Sequence, residues 1–426
     1  MKKFVTNIIV LREETQMTTE EKIRLNIRDL SHDGRGIARL NDYTLFIPGA
    51  LPGEEILATI TSRKKRYGEA RLLKIYSQSE KRQTPSCPVF HQCGGCQLQH
   101  MNYQSQLEFK QSRVLQALKR IAKLSQVPPI KVHPTEPWYY RNKGTYHCHT
   151  NGKLGFFAPE SHQVVPHQEC LIMHRHANSY KKELEENNIP SPGERCILRT
   201  STLEKEGIAV LERKKPLKKL KELSLKGVYI QKNNHLCGGK KLTEKMGPLT
   251  FQIPPGVFFQ VHDQGREILL QRAAELLNPA QQDTLLDLYC GVGALSLPHG
   301  KTVREILGLD SDREAIQVAE EHAQKWGYTN TTFLHQRAEK KGSCSLLEKE
   351  PTVALLDPPR EGCARILLKK LLNSSLQRIV YISCDPATMA RDLKQLRDGF
   401  QVKGVELIDM FPQTYHVECA VVLERK

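Results

Sequence analysis

Leu285-Leu286-Asp287-Leu288-Tyr289-Cys290-Gly291-Val292-Gly293 reads as an apolar strand running into a glycine turn, and Gly308-Leu309-Asp310 ends the strand that follows. The pattern repeats along the chain. Thr284 to Leu288, Ile306 to Leu309, Thr331 to Leu334, Val353 to Leu356, Ile379 to Ile382 and Glu406 to Met410 are apolar runs separated by amphipathic stretches. Such alternation predicts an α/β fold, a doubly wound, mostly parallel, Rossmann-like sheet over residues 246 to 426. A ligand of that sheet should lie outside the carboxyl ends of its strands.

The glycines of this turn let the backbone approach a ligand, and an acidic residue at the end of the next strand can accept hydrogen bonds from ribose hydroxyls. A lone G-x-G is a weak signal, since a tight strand-to-helix turn produces it without any ligand. The third position of a dinucleotide fingerprint holds Ser296 instead of Gly. S-adenosylmethionine has no phosphate to cradle, so a methyltransferase fits better than a dehydrogenase.

Three further motifs fall at strand ends: Leu356-Asp357-Pro358-Pro359-Arg360, Ser383-Cys384-Asp385-Pro386-Ala387-Thr388 and His416-Val417-Glu418-Cys419. Taken singly, a buried Cys or a salt-bridged Glu is the ordinary fate of such residues. Together they bring a nucleophile, carboxylates and a cofactor turn to one sheet edge, which is an active-site pattern.

N-terminal to this sheet the pattern changes. Between Ile23 and Ser79, short alternating strands and turns predict a small OB-like β-barrel over residues 20 to 80, a shape that commonly binds single-stranded nucleic acid. The balance of 63 Lys and Arg against 47 Asp and Glu gives a net charge of +16, which favours a polyanionic partner. Two basic runs stand out, Arg63 to Arg66 beside Tyr67, and Arg213 to Lys215 followed by Lys218, Lys219 and Lys221. No apolar run is long enough to span a bilayer, so we expect no membrane, a cytoplasmic location and no obligate protein partner. Residues 1 to 19, with Met17 as a second candidate start, are expected to be a disordered or mis-started tail. Residues 81 to 245 should form a mixed, strand-rich central domain, entered through an amphipathic helix from about Tyr103 to Leu124.

The chain has 12 cysteines and no secretory signal, so its thiols should serve metals or catalysis. Cys87, Cys93 and Cys96 share one glycine-bearing loop, and Cys170 lies far downstream. Four thiolates can close a zinc site or an iron–sulfur cube; three clustered and one distant suit a [4Fe-4S] cluster better. Cys148, Cys196, Cys237, Cys344 and Cys363 read as packing residues.

The turn Gly34-x-Gly36-Ile37-Ala38 and the stretch Ile47 to Glu54 resemble a TRAM domain. With the Cys384 and Glu418 motifs, residues 20 to 426 resemble the uracil-5 RNA methyltransferase family, in its large-subunit rRNA branch. The resemblance implies that Cys384 adds to C6 of the target uracil and that Glu418 removes the C5 proton. Cys419 is the alternative thiol. It further implies that Gln260, Tyr289, Asp310 and Asp357 contact S-adenosylmethionine, and that the substrate is 23S rRNA. Asp385 and Ala294 depart from the family, where many members have Asn at both positions. The competing readings are a tRNA uridine-5 methyltransferase, a non-catalytic RNA-binding factor and a DNA cytosine-5 methyltransferase.

Overall fold

Strand Thr284–Leu288 is buried along its whole length, as an apolar run must be when both faces of its sheet are covered. It lies inside an eight-stranded sheet whose order is Thr331–His335, Glu305–Asp310, Thr284–Leu288, Val353–Leu356, Arg378–Ser383, Glu418–Arg425, Phe400–Ile408 and Ile130–His133. The first five are parallel to their neighbours. Glu418–Arg425 runs antiparallel between Arg378–Ser383 and Phe400–Ile408. The strand order reverses between Thr284–Leu288 and Val353–Leu356, so the residues just past their carboxyl ends, Tyr289 and Asp357, open on the crevice where this architecture binds ligands. This is the sheet of a computed structural model that describes residues 22–213, 215–233, 235–339 and 345–426.

Period-two alternation sorts the sheet's side chains onto two cores. Leu286, Leu288, Leu307, Leu309, Ala354 and Leu356 face one side, against helices Tyr103–Arg120, Arg365–Leu372 and Pro386–Leu396. Leu285, Ile306, Val353, Leu355 and Val380 face the other, against Asp263–Leu277 and Arg313–Lys325. Each fully buried leucine contributes about 1.5–3 kcal/mol. Continuous apolar runs therefore set these strands without help from turn chemistry.

The predicted runs at Thr284 to Leu288 and Val353 to Leu356 match their strands. The expected strand at Glu406 to Met410 is shifted, because the strand runs Phe400–Ile408 and its first half alternates with exposed Gln401 and Lys403. The expectation that all three motifs end strands needs a correction at the third. Glu418 begins its strand; since that strand is antiparallel, its start meets the carboxyl ends of the others. The entry helix spans Tyr103–Arg120, shorter than expected, and Ile121 is exposed.

The chain falls into two compact units, the first taking in the chain up to Phe90 with Cys96–Gln106 and Gln413–Tyr415. That unit holds six strands between Lys22 and Ser77, paired in the order first, fifth, sixth, fourth, third, second, around Leu25, Ala38, Leu45, Ile47 and Ile56. The second unit also carries a seven-stranded sheet, Lys143–Cys148 through His235–Gly238, with its own core of Tyr146, Leu184, Leu198 and Val228. Its strand-rich character agrees with the expectation for the middle of the chain. The tail expected at residues 1 to 19, together with Lys214 and Cys344, lies outside the described residues. No helix among the described residues is long and apolar enough to cross a membrane.

Candidate active site

The glycine turn shows why the sequence needs these residues. Tyr289 takes φ +64°, Gly291 +54° and Gly293 +72°, left-handed backbone that glycine tolerates and Tyr289 adopts at a cost. The N–H groups of Tyr289 and Cys290 donate to Leu309 O at 2.8 and 3.1 Å, pinning the turn to the next strand. Asp310 answers with its side chain, accepting from Gly291 N at 2.9 Å and from Asp312 N at 2.8 Å. The turn, Asp310, Gln260 and Asp357 line one cleft of about 1390 Å³. Tyr289 OH donates to Glu339 Oε1 at 2.9 Å across its edge. Ala294, by contrast, packs against the second core of the sheet and is not among the cleft's lining residues.

Cys384 and Glu418 line the same cleft. Register explains it: Ser383 faces Cys419 across the antiparallel pair, so the residue after one and the residue before the other meet at the sheet edge. Asp385 caps the helix Pro386–Leu396, accepting from Ala387 N at 2.9 Å and Thr388 N at 2.8 Å through Oδ1. Asn and Asp cap helices about equally well, so the departure at this position keeps the turn that presents Cys384.

Electrostatics divides the cleft. Burial and the like charge of Asp310 push Asp357 up to about 7. Asp287, beneath the turn, is also raised to about 7, by burial and by Asp357 and Asp310, with Ser296 opposing them. Burial and Asp357 raise Glu418 well above the usual carboxylate range, while Arg360 opposes them. Burial and Glu418 push the Cys384 thiol up to about 11, against Arg360, whose positive charge draws it down. Arg360 Nη2 also donates to His416 Nδ1 at 2.9 Å. Burial, then Arg360, Lys110, Arg141 and Arg113, lower His416 to about 4, so the ring is neutral and can accept that bond.

Cys419 is fully buried, its Sγ 3.4 Å from Ser383 O and 3.5 Å from Met389 Sδ, and its thiol is pushed well up by burial and Glu418. It is not among the residues that line the cleft. Arg360 and His416 stand in two of the strand-end motifs but drew no role from sequence, although an arginine after Asp-Pro-Pro at a strand end was a usable signal. Arg141 and Phe258, the latter 62% exposed, also line the cleft, with no pattern that sets them apart in sequence.

Cys87 and Cys96 belong to the first unit, Cys93 and Cys170 to the second. Among the described residues no group of three or more His, Cys, Asp or Glu side chains is arranged to hold a metal ion. The donor chemistry still suits iron. None of the four is in a disulfide, all are half-buried, and Gly95 N donates to Cys93 Sγ at 3.4 Å, a bond that steadies a thiolate. Cys148, Cys196 and Cys363 are buried packing residues as expected, and Cys237 packs half-buried against the central core.

The basic runs differ. Arg63 to Tyr67 form an exposed hairpin in which Lys64 Nζ lies 5.3 Å from the centre of the Tyr67 ring, and Tyr67 packs edge-on against Phe46. In the other run, Arg213 and Lys215 both pair with the buried Glu194, at 3.4 and 2.6 Å, which spends part of their charge.

A family model described as tRNA (Uracil-5-)-methyltransferase matches residues 220–426, and a TRAM domain model matches residues 17–73. The chain is 34% identical to an uncharacterized RNA methyltransferase of Halalkalibacterium halodurans, over 97% of this chain and 99% of that one. It is 33% identical to another from Listeria innocua, over 97% and 100%. Among solved structures it is similar to the tRNA (uracil-54, C5)-methyltransferase of Pyrococcus abyssi in complex with S-adenosyl-L-homocysteine. That match has a TM-score of 0.75 and 25% identity, and covers 94% of this chain and all of the other. Likeness of this depth along nearly the whole length matches what the sheet edge shows in chemistry, and the chain belongs to the uracil-5 RNA methyltransferase family.

Proposed function

We propose that the enzyme methylates C5 of a uridine in 23S rRNA, using S-adenosylmethionine and a covalent adduct at Cys384. The observation that carries this reading is the convergence of Cys384, Glu418, Asp357 and Arg360 on one cleft at the carboxyl edge of the sheet. Gln260, Tyr289, Asp310 and Asp357 are the residues that would hold the cofactor, which supplies a methyl group on a sulfonium. A cation is at home beside carboxylates that burial and mutual repulsion leave short of counter-charge.

C5 of uracil is a poor nucleophile until something adds at C6. Arg360 favours the Cys384 thiolate, whose sulfur bonds to C6 while the C5–C6 π pair moves toward the carbonyl. C5 would then take the methyl group from the bound sulfonium, which leaves as a neutral thioether. Glu418 accepts the C5 proton, the C5–C6 double bond re-forms, and the C6–S bond breaks to release Cys384. Burial makes the Glu418 carboxylate hold a proton tightly once formed, which suits abstraction from carbon. The uridine must leave any base stack first, at about a few kcal/mol. The Arg63 to Tyr67 hairpin, with its cation–aromatic contacts, is the RNA-holding element we favour.

The rRNA reading rests on the family resemblance of the cysteine loop and N-terminal barrel; the barrel alone does not separate the two, since the Pyrococcus tRNA enzyme matches 94% of this chain, and the tRNA alternative draws on the descriptions of that enzyme and of the matching family model. Methyl transfer from labelled cofactor to deproteinised, hypomethylated 23S rRNA and to unmodified tRNA tests this, and preference for tRNA would overturn the rRNA reading. We also propose that Cys87, Cys93, Cys96 and Cys170 hold a [4Fe-4S] cluster. Anaerobically purified protein should be brown, with iron and sulfide in equal amounts; stoichiometric zinc without iron would reject the cluster. The functional divisions we propose are 20–80, 81–245 and 246–426, in a cytoplasmic enzyme.

A further inference from the structure

Asp392 is fully buried, yet it carries a carboxylate on the helix Pro386–Leu396 that begins just after Cys384. A buried carboxylate has to be compensated by donors, and here those donors come from three directions. Oδ2 accepts from Cys363 N and from Tyr381 OH, each at 2.7 Å. Oδ1 accepts from Arg391 Nε at 2.8 Å, and Arg391 Nη2 reaches on to Glu361 O at 2.7 Å. Gly362 takes φ +75°, and a Cβ there would stand 2.5 Å from Asp392 Oδ2 and 2.6 Å from Arg391 Nη2. The loop that follows Asp357 is thus drawn in until only glycine fits.

These bonds join the elements that carry the reacting groups. Tyr381 lies on the strand that delivers Cys384. Asp392 lies on the helix that leaves it. Glu361, Gly362 and Cys363 belong to the loop that carries Asp357 and Arg360. We propose that Asp392 is a positioning residue: its carboxylate bolts the Asp357-to-Cys363 loop to the strand and helix on either side of Cys384, and so holds the Arg360 guanidinium at the thiol. The inference rests on the proposed role of Cys384, but it can fail independently of that role.

The groups that face Cys384 are Glu418 from the last strand, and Arg360 and Asp357 from the loop. Of these only Arg360 favours the thiolate, so a loosened loop leaves burial, Glu418 and Asp357 less opposed. Asp392→Asn keeps the shape but turns one acceptor into an N–H donor facing Arg391 or the Cys363 N–H. The direct readout is site-resolved alkylation of Cys384 by iodoacetamide, followed by mass spectrometry across pH, which needs neither RNA nor cofactor. In the variant the profile should move to higher pH by roughly one unit, an about tenfold slower reaction at fixed pH below it.

Tyr381→Phe removes one donor and should move the profile the same way by less. It decides the matter by the same criterion if Asp392→Asn does not fold. A profile that superimposes on the parent's, or that drops equally at every pH, overturns the proposal. The second result would report lost access and not a displaced cation. A parent enzyme that forms no adduct with 5-fluorouridine RNA would instead sink the nucleophile assignment and leave the alkylation result standing.

Discussion

The two ends of the cleft are built on opposite principles. At the glycine turn, burial and the charges of Asp357 and Asp310 raise Asp287 to about 7, and burial and the charge of Asp310 raise Asp357 to about 7. At the other end, Arg360 stands against Cys384 and the neutral His416, within reach of the fields of Lys110, Arg141 and Arg113. The first end is short of positive charge and suits a cationic cofactor. The second holds positive charge near a thiol and suits an anionic nucleophile and a polyanionic substrate. Between them Glu418 feels both, raised by Asp357 and lowered by Arg360.

The largest effect should come at the basic end. Cys384→Ala removes the group proposed to add to C6, so methyl transfer should fall to background in a labelled-cofactor assay. Residual turnover would mean that the thiol's surroundings were misread. The next effect belongs to the acidic end. Because Asp357 titrates at about 7, a cationic cofactor should bind better as pH rises through that value, with affinity falling at most ~tenfold per unit below it. Asp357→Asn should weaken binding and flatten this dependence in calorimetry at pH 6 and 8. An unflattened curve would assign the titration to another group.

How far the sequence could be read follows from the same physics. Strands sealed on both faces, such as Thr284–Leu288 and Val353–Leu356, carry uninterrupted apolar runs and were legible to the residue. Ile130–His133 joins the sheet at its edge with four residues and exposed Lys131, too short and too mixed to register as a strand. The place of Cys384 just past a strand end was legible from the apolar run before it, while its role came from the family resemblance. The direction of the strand at Glu418 was not legible, since a motif states proximity to a strand end but not which end. Gln260 sits in irregular backbone and was reached only through family resemblance. Asp392 was within reach: it shares the helix stripe of Met389, Leu393 and Leu396, and a carboxylate on an apolar stripe is a signal in itself.

Two smaller effects sharpen the contrast. Removing residues 20–80 should lower the slope of RNA affinity against salt by roughly 0.7–0.9 for each phosphate that the barrel neutralises. An unchanged slope would place the RNA elsewhere, with the Glu194-tied run from Arg213 as the next candidate. Asp287→Asn tests the acidic end through stability. An acid raised from 3.8 to about 7 on folding costs stability progressively as pH rises through that window, since the unfolded chain gives up its proton first. The variant should therefore gain thermal midpoint relative to its parent more at pH 8 than at pH 5. An equal difference at both would remove Asp287 from the charge cluster.

The central claim is that attack and proton removal belong to different side chains, Cys384 and Glu418. Denaturing electrophoresis of labelled substrate RNA after reaction with each variant tests it most directly. Glu418→Gln should accumulate RNA that is covalently bound and already methylated, and Cys384→Ala should give neither adduct nor product. An adduct formed by Cys384→Ala, or normal turnover by Glu418→Gln, would contradict the account.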